Sequence, residues 1–360
     1  MKRVVFSVFI FAAIILSVAL FAPGCSETNG NNGNPPDTTD TPDTTEGIRP
    51  DSTGPGELEL QATFNVIGNG VSQGLALYDN VLYVGDGQKI RGIDVSNPGS
   101  PSQLSYFPTT TYDYVTGLAV QGNNLYALYG DVLRIYDISN PIAPLDVGGV
   151  ELPGNGRDID LFGDYAFVGR IGSGVAVVDI STSSAPEEIN TYFSYPAYSL
   201  TIGAGRLYTA GQTGYLASQL NISEPESVFS ISQTYPPGET AFDMDYIYEH
   251  LFIAAGKTSL SRNDGIFTIH SKNYLNDVFA DTTDYVCQGV SVEGNFAFVI
   301  DASTSGDSKL YMYFAYNPAN TYLAESISLT NEAVAVLAEG NYIYVLCRTS
   351  LLIYRHDLIT

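Results

Sequence analysis

The sequence predicts an all-β fold, a seven-bladed β-propeller with four-stranded antiparallel blades. Three observations carry this prediction: an aromatic residue recurs seven times, short apolar segments flank each recurrence, and Asn, Asp, Gly or Pro turn signals separate those segments. The recurring residues lie 41 to 46 positions apart, at Tyr83, Tyr126, Phe167, Tyr208, Phe252, Phe298 and Tyr344. A period of roughly 40–45 residues with several short strands per unit is typical of propellers.

The first unit shows the elements of one blade. Four strand-like segments at 75–77, 81–84, 90–95 and 103–107 are separated by the turn signals Asp79-Asn80, Asp86-Gly87 and Ser96-Asn97-Pro98. Such runs of apolar and β-branched residues between turn residues predict short antiparallel strands. The recurring aromatic residue falls on the second strand, where we expect it to fill the space between blades.

The two ends of the repeat region predict how the ring closes. The last unit has strands at 334–338, 342–346 and 351–354 but lacks a fourth, whereas segment 58–66 is a strand without a unit. Pairing these two segments removes two exposed sheet edges, which otherwise promote aggregation. We therefore expect the N-terminal strand to complete the seventh blade.

The N-terminal segment predicts the location of the protein. A basic start, Met1-Lys2-Arg3, precedes an apolar run over 4–22, which is a targeting segment and not part of the fold. Residues 22–25 (Ala-Pro-Gly-Cys) resemble the lipobox of bacterial lipoproteins. The resemblance implies that 1–24 is a cleaved signal peptide and that Cys25 is lipidated. An uncleaved anchor stays open, because about 20 apolar residues span a bilayer. Both alternatives place the protein outside the cytoplasm, anchored to the cell envelope at the outer membrane or cell surface.

The domain organisation follows from composition. After Cys25, the segment to residue 57 is rich in Asn, Gly, Asp, Thr and Pro, so we expect a disordered linker, followed by the propeller over 58–360. The chain has 39 acidic and 15 basic residues, a net charge of −24. This charge repels phosphate backbones and excludes nucleic-acid binding. We expect a monomer that contacts the membrane through its N-terminal acyl chains.

A recurring third-strand motif resembles a known repeat. Residues 93–98 (Ile-Asp-Val-Ser-Asn-Pro), 136–141 (Tyr-Asp-Ile-Ser-Asn-Pro) and 178–181 (Val-Asp-Ile-Ser) resemble the LVIVD repeat of bacterial and archaeal surface proteins, and 220–225 is a weakened copy. The resemblance implies a propeller displayed outside the cell and brings no catalytic residues. We interpret Asp94, Asp137 and Asp179 as turn formers whose carboxylates accept local backbone N–H groups.

Four carboxylates are predicted to lie on innermost strands. Aligning the units on their aromatic residues places Asp158 and Asp160 in the third unit, and Asp243 and Asp245 in the fifth, with Arg157 adjacent. Because innermost strands line the channel, these carboxylates predict either a Ca²⁺ site or an acid/base pair. The alternative is a solvated channel in which Arg157 offsets part of the charge. Apart from this Ca²⁺, no cofactor is expected.

A second candidate site lies in the loops between units. These loops are rich in tyrosine, which supplies rigid amphipathic contact area at binding surfaces. We expect them all to open on the face where the innermost strands begin, although several of the tyrosines could instead cap the blades. The tyrosines are Tyr112, Tyr114, Tyr195, Tyr198, Tyr235 and Tyr285.

These features favour a binding module for a protein or polysaccharide partner, without catalysis. The alternatives are a lyase or hydrolase of extracellular polymers that uses the channel carboxylates, and an envelope-assembly scaffold. Cys287 and Cys347 allow either a disulfide, since both are predicted near one face of adjacent blades, or two buried thiols. The three histidines fall at unrelated repeat positions and suggest neither zinc nor triad geometry.

Overall fold

The computed structural model describes residues 57–65, 74–107, 113–192, 197–211, 217–234, 240–256, 265–272, 277–302 and 307–356. The proposed signal peptide, Cys25 and the linker to residue 56 lie outside them. Within the described residues, 28 strands form seven four-stranded antiparallel sheets, the blades of a propeller. Because six of these sheets are built from strands adjacent in sequence, the fold repeats one simple meander, as the sequence period predicts, and the seventh sheet joins the two ends of the repeat region.

The chain begins with β1 (Glu59–Asn65), and the blades follow in order. The first is β2 (Leu75–Tyr78), β3 (Val81–Asp86), β4 (Lys89–Asp94) and β5 (Ser102–Phe107). The second is β6 (Val115–Gln121), β7 (Asn124–Tyr129), β8 (Val132–Asp137) and β9 (Leu145–Glu151). The third is β10 (Gly156–Phe162), β11 (Tyr165–Arg170), β12 (Gly174–Asp179) and β13 (Glu187–Tyr192). The fourth is β14 (Ser199–Gly203), β15 (Arg206–Ala210), β16 (Ala217–Asn221) and β17 (Phe229–Thr234).

The remaining three blades complete the ring. The fifth is β18 (Thr240–Ile247), β19 (His250–Gly256), β20 (Gly265–Ser271) and β21 (Asp277–Thr283). The sixth is β22 (Val286–Glu293), β23 (Phe296–Ala302), β24 (Ser308–Phe314) and β25 (Tyr322–Leu329). The seventh is β26 (Ala333–Glu339), β27 (Tyr342–Cys347) and β28 (Ser350–Arg355), together with β1. Two short 3₁₀ turns, Pro225–Ser227 and Pro318–Asn320, precede outer strands, and no helix among the described residues is long and apolar enough to cross a membrane.

Ring closure by the N-terminal strand is confirmed. β1 pairs antiparallel with β28, from Glu59 opposite Arg355 to Asn65 opposite Ser350. The backbone N–H of Leu58 also donates a hydrogen bond to Glu325 Oε2, 2.7 Å away in the sixth blade. The two ends of the repeat region therefore share one sheet.

The hydrophobic core lies between the blades. Seven clusters of buried side chains each join neighbouring blades, including the first and the seventh. All seven recurring aromatic residues are buried. Each lies opposite a residue of the innermost strand, for example Phe167 opposite Asp160 and Phe252 opposite Asp245. The predicted role of these aromatic residues in packing is confirmed.

The third-strand motif forms the predicted turns. The carboxylates of Asp94, Asp137 and Asp179 accept hydrogen bonds from the backbone N–H two residues on, at 2.8, 2.8 and 2.9 Å. In the fourth blade Asn221 makes the same turn, accepting from the N–H of Ser223 at 2.8 Å. These side chains hold the strand ends through local hydrogen bonds.

The ring has two faces, which are named here for their connections. The loop face is the one on which the innermost strands begin, at Leu75, Val115, Gly156, Ser199, Thr240, Val286 and Ala333. The turn face is the opposite one, on which the tight turns join each innermost strand to the second strand of its blade. Connections between blades return to the loop face, as the sequence predicts.

Candidate functional site at the channel mouth

The innermost strands surround a channel whose loop-face end is a small cavity of about 80 Å³. All seven blades contribute to its lining, for example through Gly74, Thr116, Arg157, Tyr198, Asp243, Gln288 and Ala335. A water molecule needs roughly 10–15 Å³ of such space. The cavity therefore has room for a few waters or a small chemical group.

Asp158 and Asp160 link the third blade to the fourth. Each uses one carboxylate oxygen for the next backbone N–H of its own strand. The other oxygen accepts from the neighbouring innermost strand: Asp158 Oδ2 from Leu200 N and Asp160 Oδ2 from Ile202 N, both at 2.8 Å. Ser199 Oγ also donates to Asp158 Oδ2 at 2.9 Å. These carboxylates therefore satisfy backbone donors at the inner edge of the next sheet.

Asp243 and Asp245 repeat this arrangement between the fifth and sixth blades. Asp243 Oδ2 accepts from Val290 N at 3.0 Å, and Asp245 Oδ2 accepts from Val292 N at 2.9 Å. Neutral side chains bridge other blades: Ser291 Oγ accepts from Ala338 N at 3.0 Å, and Thr116 Oγ1 donates to Gly156 O at 2.7 Å. Short polar side chains on innermost strands thus join successive blades around the ring.

The four carboxylates are divided between two blade junctions and hydrogen-bonded to backbone. Among the described residues, no three His, Cys, Asp or Glu side chains come together in a way that could hold a metal ion. The predicted calcium site stays a prediction, and the geometry gives these aspartates a different task, the alignment of innermost strands.

Arg157 and Tyr198 are half-buried and in contact at the channel mouth. The guanidinium carbon of Arg157 lies 5.2 Å from the ring centroid of Tyr198, a cation–π contact. Its Nε is buried and has no hydrogen-bond partner among the described residues. Burial lowers the pKa of Arg157, against the raising effects of Asp158, Tyr198 and Asp243. A guanidinium keeps its charge at any physiological pH, so this pair offers a cation and an aromatic ring to a ligand.

Of the other predicted tyrosines, the structure describes two and leaves three outside the described residues. Tyr112, Tyr195 and Tyr235 lie outside the described residues. Tyr114 lies at the loop face, 48% exposed, and Tyr285 directly precedes β22, with its hydroxyl 3.4 Å from Asp307 Oδ2. Tyr114, Tyr198 and Tyr285 therefore share the predicted face but belong to different blade junctions.

Sequence reasoning missed Asp301, which positions the Tyr285 segment. Its buried carboxylate accepts hydrogen bonds from Tyr311 Oη at 2.7 Å, Lys309 N at 2.7 Å and Tyr285 N at 3.0 Å. Burial raises the pKa of Asp301, and these three hydrogen bonds oppose that effect. The sequence does contain a feature that predicts a buried carboxylate here, because Asp301 is an acidic residue near the end of an otherwise apolar strand.

Both described cysteines and two of the histidines are buried. Cys287 and Cys347 are buried free thiols, so the alternative of a disulfide between them is wrong. Burial raises the pKa of each thiol to about 12. His270 and His356 are buried, and His270 Nε2 lies 2.9 Å from Thr268 Oγ1.

Comparison with known proteins identifies the repeat. The LVIVD repeat model matches residues 69–109, 114–151, 153–194 and 286–305. The chain carries LVIVD repeats. The first three blades match as the sequence predicts, but the weakened copy in the fourth blade is not among the matches, while part of the sixth blade is. No curated protein matches the chain.

Solved structures agree with the fold. The crystal structure of the computationally designed Ika8 protein is 10% identical, with a TM-score of 0.54, and the alignment covers 81% of this chain and 99% of that one. A chain in the crystal structure of the mitotic checkpoint complex is 11% identical, with a TM-score of 0.66, and the alignment covers 82% and 95%. At these identities the likeness concerns the fold alone.

Proposed function

We propose that this LVIVD-repeat propeller is a lipid-anchored, extracytoplasmic binding module that holds a protein partner on its loop face. The supporting observation is the Arg157–Tyr198 pair at the channel mouth, where a buried guanidinium nitrogen meets an aromatic ring. A buried donor without a partner is costly, and a hydrogen-bond acceptor of a bound partner removes that cost. Arginine and tyrosine are also the residue types that dominate binding energy at interfaces.

The proposed contact has a defined chemistry. A backbone carbonyl or a carboxylate of the partner enters the small cavity and accepts from Arg157, while Tyr114 and Tyr285 extend the contact across the loop face. The net charge of −24 favours a partner whose surrounding surface is basic, because complementary charge accelerates association. Polysaccharide capture at this face, and the role of an envelope-assembly scaffold, are the competing outcomes of the test below.

The enzyme alternative relies on the channel carboxylates and receives less support. A general acid or base must reach a substrate proton, yet both carboxylate oxygens of Asp158 and of Asp243 already accept hydrogen bonds from backbone N–H groups. Turnover of an extracellular polymer that is abolished by Asp158→Asn or Asp243→Asn in a folded protein would support the enzyme instead.

The test is affinity capture from solubilised cell envelope with the full-length chain. Arg157→Gln and Tyr198→Ala should each reduce the captured partner at least tenfold. Arg134→Gln is the matched control, since Arg134 pairs at 3.6 Å with Asp146 on outer strands and lies away from the channel. Equal capture by all three variants would overturn the proposal. Retention on purified envelope polysaccharide that Arg157→Gln and Tyr198→Ala both abolish would identify the competing ligand class at this face, and a capture dominated by outer-membrane proteins would favour the scaffold.

The anchor is tested separately. Cys25→Ser should move the protein from the membrane fraction to the soluble fraction, because the acyl chains that the lipobox resemblance implies attach to that residue. Unchanged membrane association in this variant would favour the uncleaved apolar segment as the anchor.

A further inference from the structure

A second cavity opens on the turn face, between the fifth and sixth blades. It measures about 390 Å³, within the size range of small-molecule sites. Three connections form it: the turn after β18, the turn after β22, and the segment after β24. Its lining includes Tyr248, His250, Phe252, Asn295, Phe296 and Tyr316.

The lining is aromatic and uncharged. Phe252 and Phe296 are each 2% exposed and form part of the buried wall, while Tyr248 and Tyr316 are 70% and 73% exposed at the rim. Among the described residues that line it there is no Asp, Glu, Lys or Arg. Glu249, which follows Tyr248 in the turn, forms an ion pair with Lys272. In a chain of net charge −24, this neutral cavity favours a neutral ligand, because it offers no counter-charge to a desolvated ion.

The cavity also presents a defined hydrogen-bond acceptor. His250 Nδ1 lies 2.8 Å from the carbonyl oxygen of Tyr248. Since a carbonyl accepts and cannot donate, the ring carries its proton on Nδ1, and Nε2 of the neutral ring is an acceptor. The Asn295 amide and the tyrosine hydroxyls add donors and acceptors at the rim.

The backbone that carries Tyr248 is strained. Tyr248 and Glu249 have φ angles of +45° and +68°, in the left-handed region that non-glycine residues rarely adopt. Two other turns of this kind are described on the turn face, Asp79-Asn80 and Ala204-Gly205; Asp79, Asn80 and Gly205 are residue types suited to it, whereas Ala204, Tyr248 and Glu249 are not. Retained strain is a feature of binding sites, and here it holds an exposed tyrosine over the cavity. Lys272 N and Ala315 N fix two of the connections through backbone hydrogen bonds to Glu249 O and Asn295 O, at 3.0 and 2.8 Å.

From these features we propose that the cavity, here called the turn-face pocket, binds a neutral saccharide. A sugar ring has an apolar C–H face, which packs on the electron-rich faces of Tyr248 and Tyr316. Its hydroxyl groups need both donors and acceptors, which His250 Nε2, Asn295 and the tyrosine hydroxyls provide. The proposal does not depend on the partner of the loop face, because the two sites lie on opposite faces of the ring.

The test is a glycan array that holds neutral and anionic glycans, probed with the full-length protein in a detergent without a sugar headgroup. Neutral glycans should be retained, and titration calorimetry with the best of them should give an affinity about tenfold lower for Tyr316→Ala and for Tyr248→Ala, the scale of one lost aromatic contact. His250→Leu should weaken binding, whereas His250→Gln, which keeps an acceptor, should weaken it less. Tyr106→Ala, at a 39% exposed tyrosine on β5 of the first blade, is the matched control and should bind like the wild type.

Three results would overturn the proposal. The first is retention of no neutral glycan, and the second is retention of anionic glycans alone. The third is neutral-glycan binding that Tyr248→Ala and Tyr316→Ala leave unchanged in variants with a wild-type melting temperature. Proline-rich peptides also bind to cavities with aromatic walls, so an array of such peptides is probed in parallel. Peptide binding without glycan binding would also contradict a saccharide site.

Discussion

Asp160 in the third blade accepts a hydrogen bond from the backbone N–H of Ile202 in the fourth blade, 2.8 Å away. Asp245 makes the equivalent contact with Val292 two blades further on, at 2.9 Å. Both aspartates lie on innermost strands. Each innermost strand pairs on one side with the second strand of its blade, and its other edge, which faces the channel, has no strand partner. The carboxylates satisfy donors on that edge and set the position of one blade against the next.

Replacing Asp160 by Asn should lower the stability of the fold. Asp160 is 3% exposed, and a hydrogen bond to a charged acceptor contributes about 1.5–3 kcal/mol. The amide of Asn keeps one acceptor and turns a donor towards a backbone N–H. We expect the free energy of unfolding to fall by about 1.5–3 kcal/mol, measured by urea denaturation. Asp164→Asn, at an exposed turn position, should change little, and equal stability of the two variants would contradict the bridging role.

Calcium should not alter this result. If the carboxylates serve as blade bridges, adding calcium should not change the melting temperature of any of these proteins. The wild type, Asp158→Asn and Asp243→Asn should each melt at the same temperature in calcium as in chelator. The competing calcium site predicts a rise in the wild-type melting temperature that both variants lose, since a ligand that binds only the folded state stabilises it. Differential scanning calorimetry across a calcium titration separates the two.

The Asx turns should contribute to acid sensitivity. Hydrogen bonds from the serine two residues on hold the pKa of Asp94, Asp137 and Asp179 below the ordinary value of 3.8. A lowered folded-state pKa adds stability that is present above pH 3.8 and is lost as the pH falls through the folded value. Asparagine keeps the turn, as Asn221 does, but does not titrate.

The triple variant Asp94→Asn, Asp137→Asn, Asp179→Asn should therefore differ from the wild type most at pH 7 and progressively less as the pH falls below 4. Chemical denaturation at pH 7, 5, 4 and 3 measures this difference. Parallel pH profiles for the two proteins would show that these three carboxylates do not contribute to acid unfolding.

The fold could be predicted because its determinants are local. Turn residues such as Asp94 act on the N–H two residues on, and the aromatic repeat sets the register between the first two strands of each blade, as in the pairing of Phe167 with Asp160. Ring closure followed from counting strands at the two ends. None of these inferences required knowledge of how one blade contacts another.

The site was less predictable because its contacts cross between blades. The sequence placed Asp160 and Asp245 correctly on innermost strands, but their partners lie 42 and 47 residues away and are backbone N–H groups, which carry no sequence signature. The turn-face pocket was missed for a related reason. It depends on the backbone conformation of Tyr248 and on two connections of the neighbouring blade. A tyrosine in a turn does not by itself predict a cavity.

Thiol counting should report both burial and lipidation. Because Cys287 and Cys347 are buried with thiol pKa values of about 12, neither should react with a thiol reagent at pH 8 in the folded protein. After denaturation both should react. The chain has three cysteines, so the denatured mature protein should give two thiols if Cys25 is acylated on sulfur and three if it is not. Rapid labelling of Cys287 or Cys347 without denaturant would contradict their burial.

Relieving the strained turn should make the protein more stable and weaken saccharide binding. Each non-glycine residue in the left-handed region costs roughly 1–2 kcal/mol, and Asn-Gly is the preferred pair for this turn. The double variant Tyr248→Asn, Glu249→Gly removes that cost but also loses the exposed Glu249–Lys272 ion pair, worth about 0–1 kcal/mol. We expect a gain of about 1–2 kcal/mol in the free energy of unfolding, measured by urea denaturation, and loss of glycan binding by calorimetry.

Ala204→Asn, at the same kind of turn with a φ of +50°, is the matched control: it should stabilise the protein and leave glycan binding intact. A double variant that is less stable than the wild type would mean that Tyr248 contributes to folding and not to a ligand site.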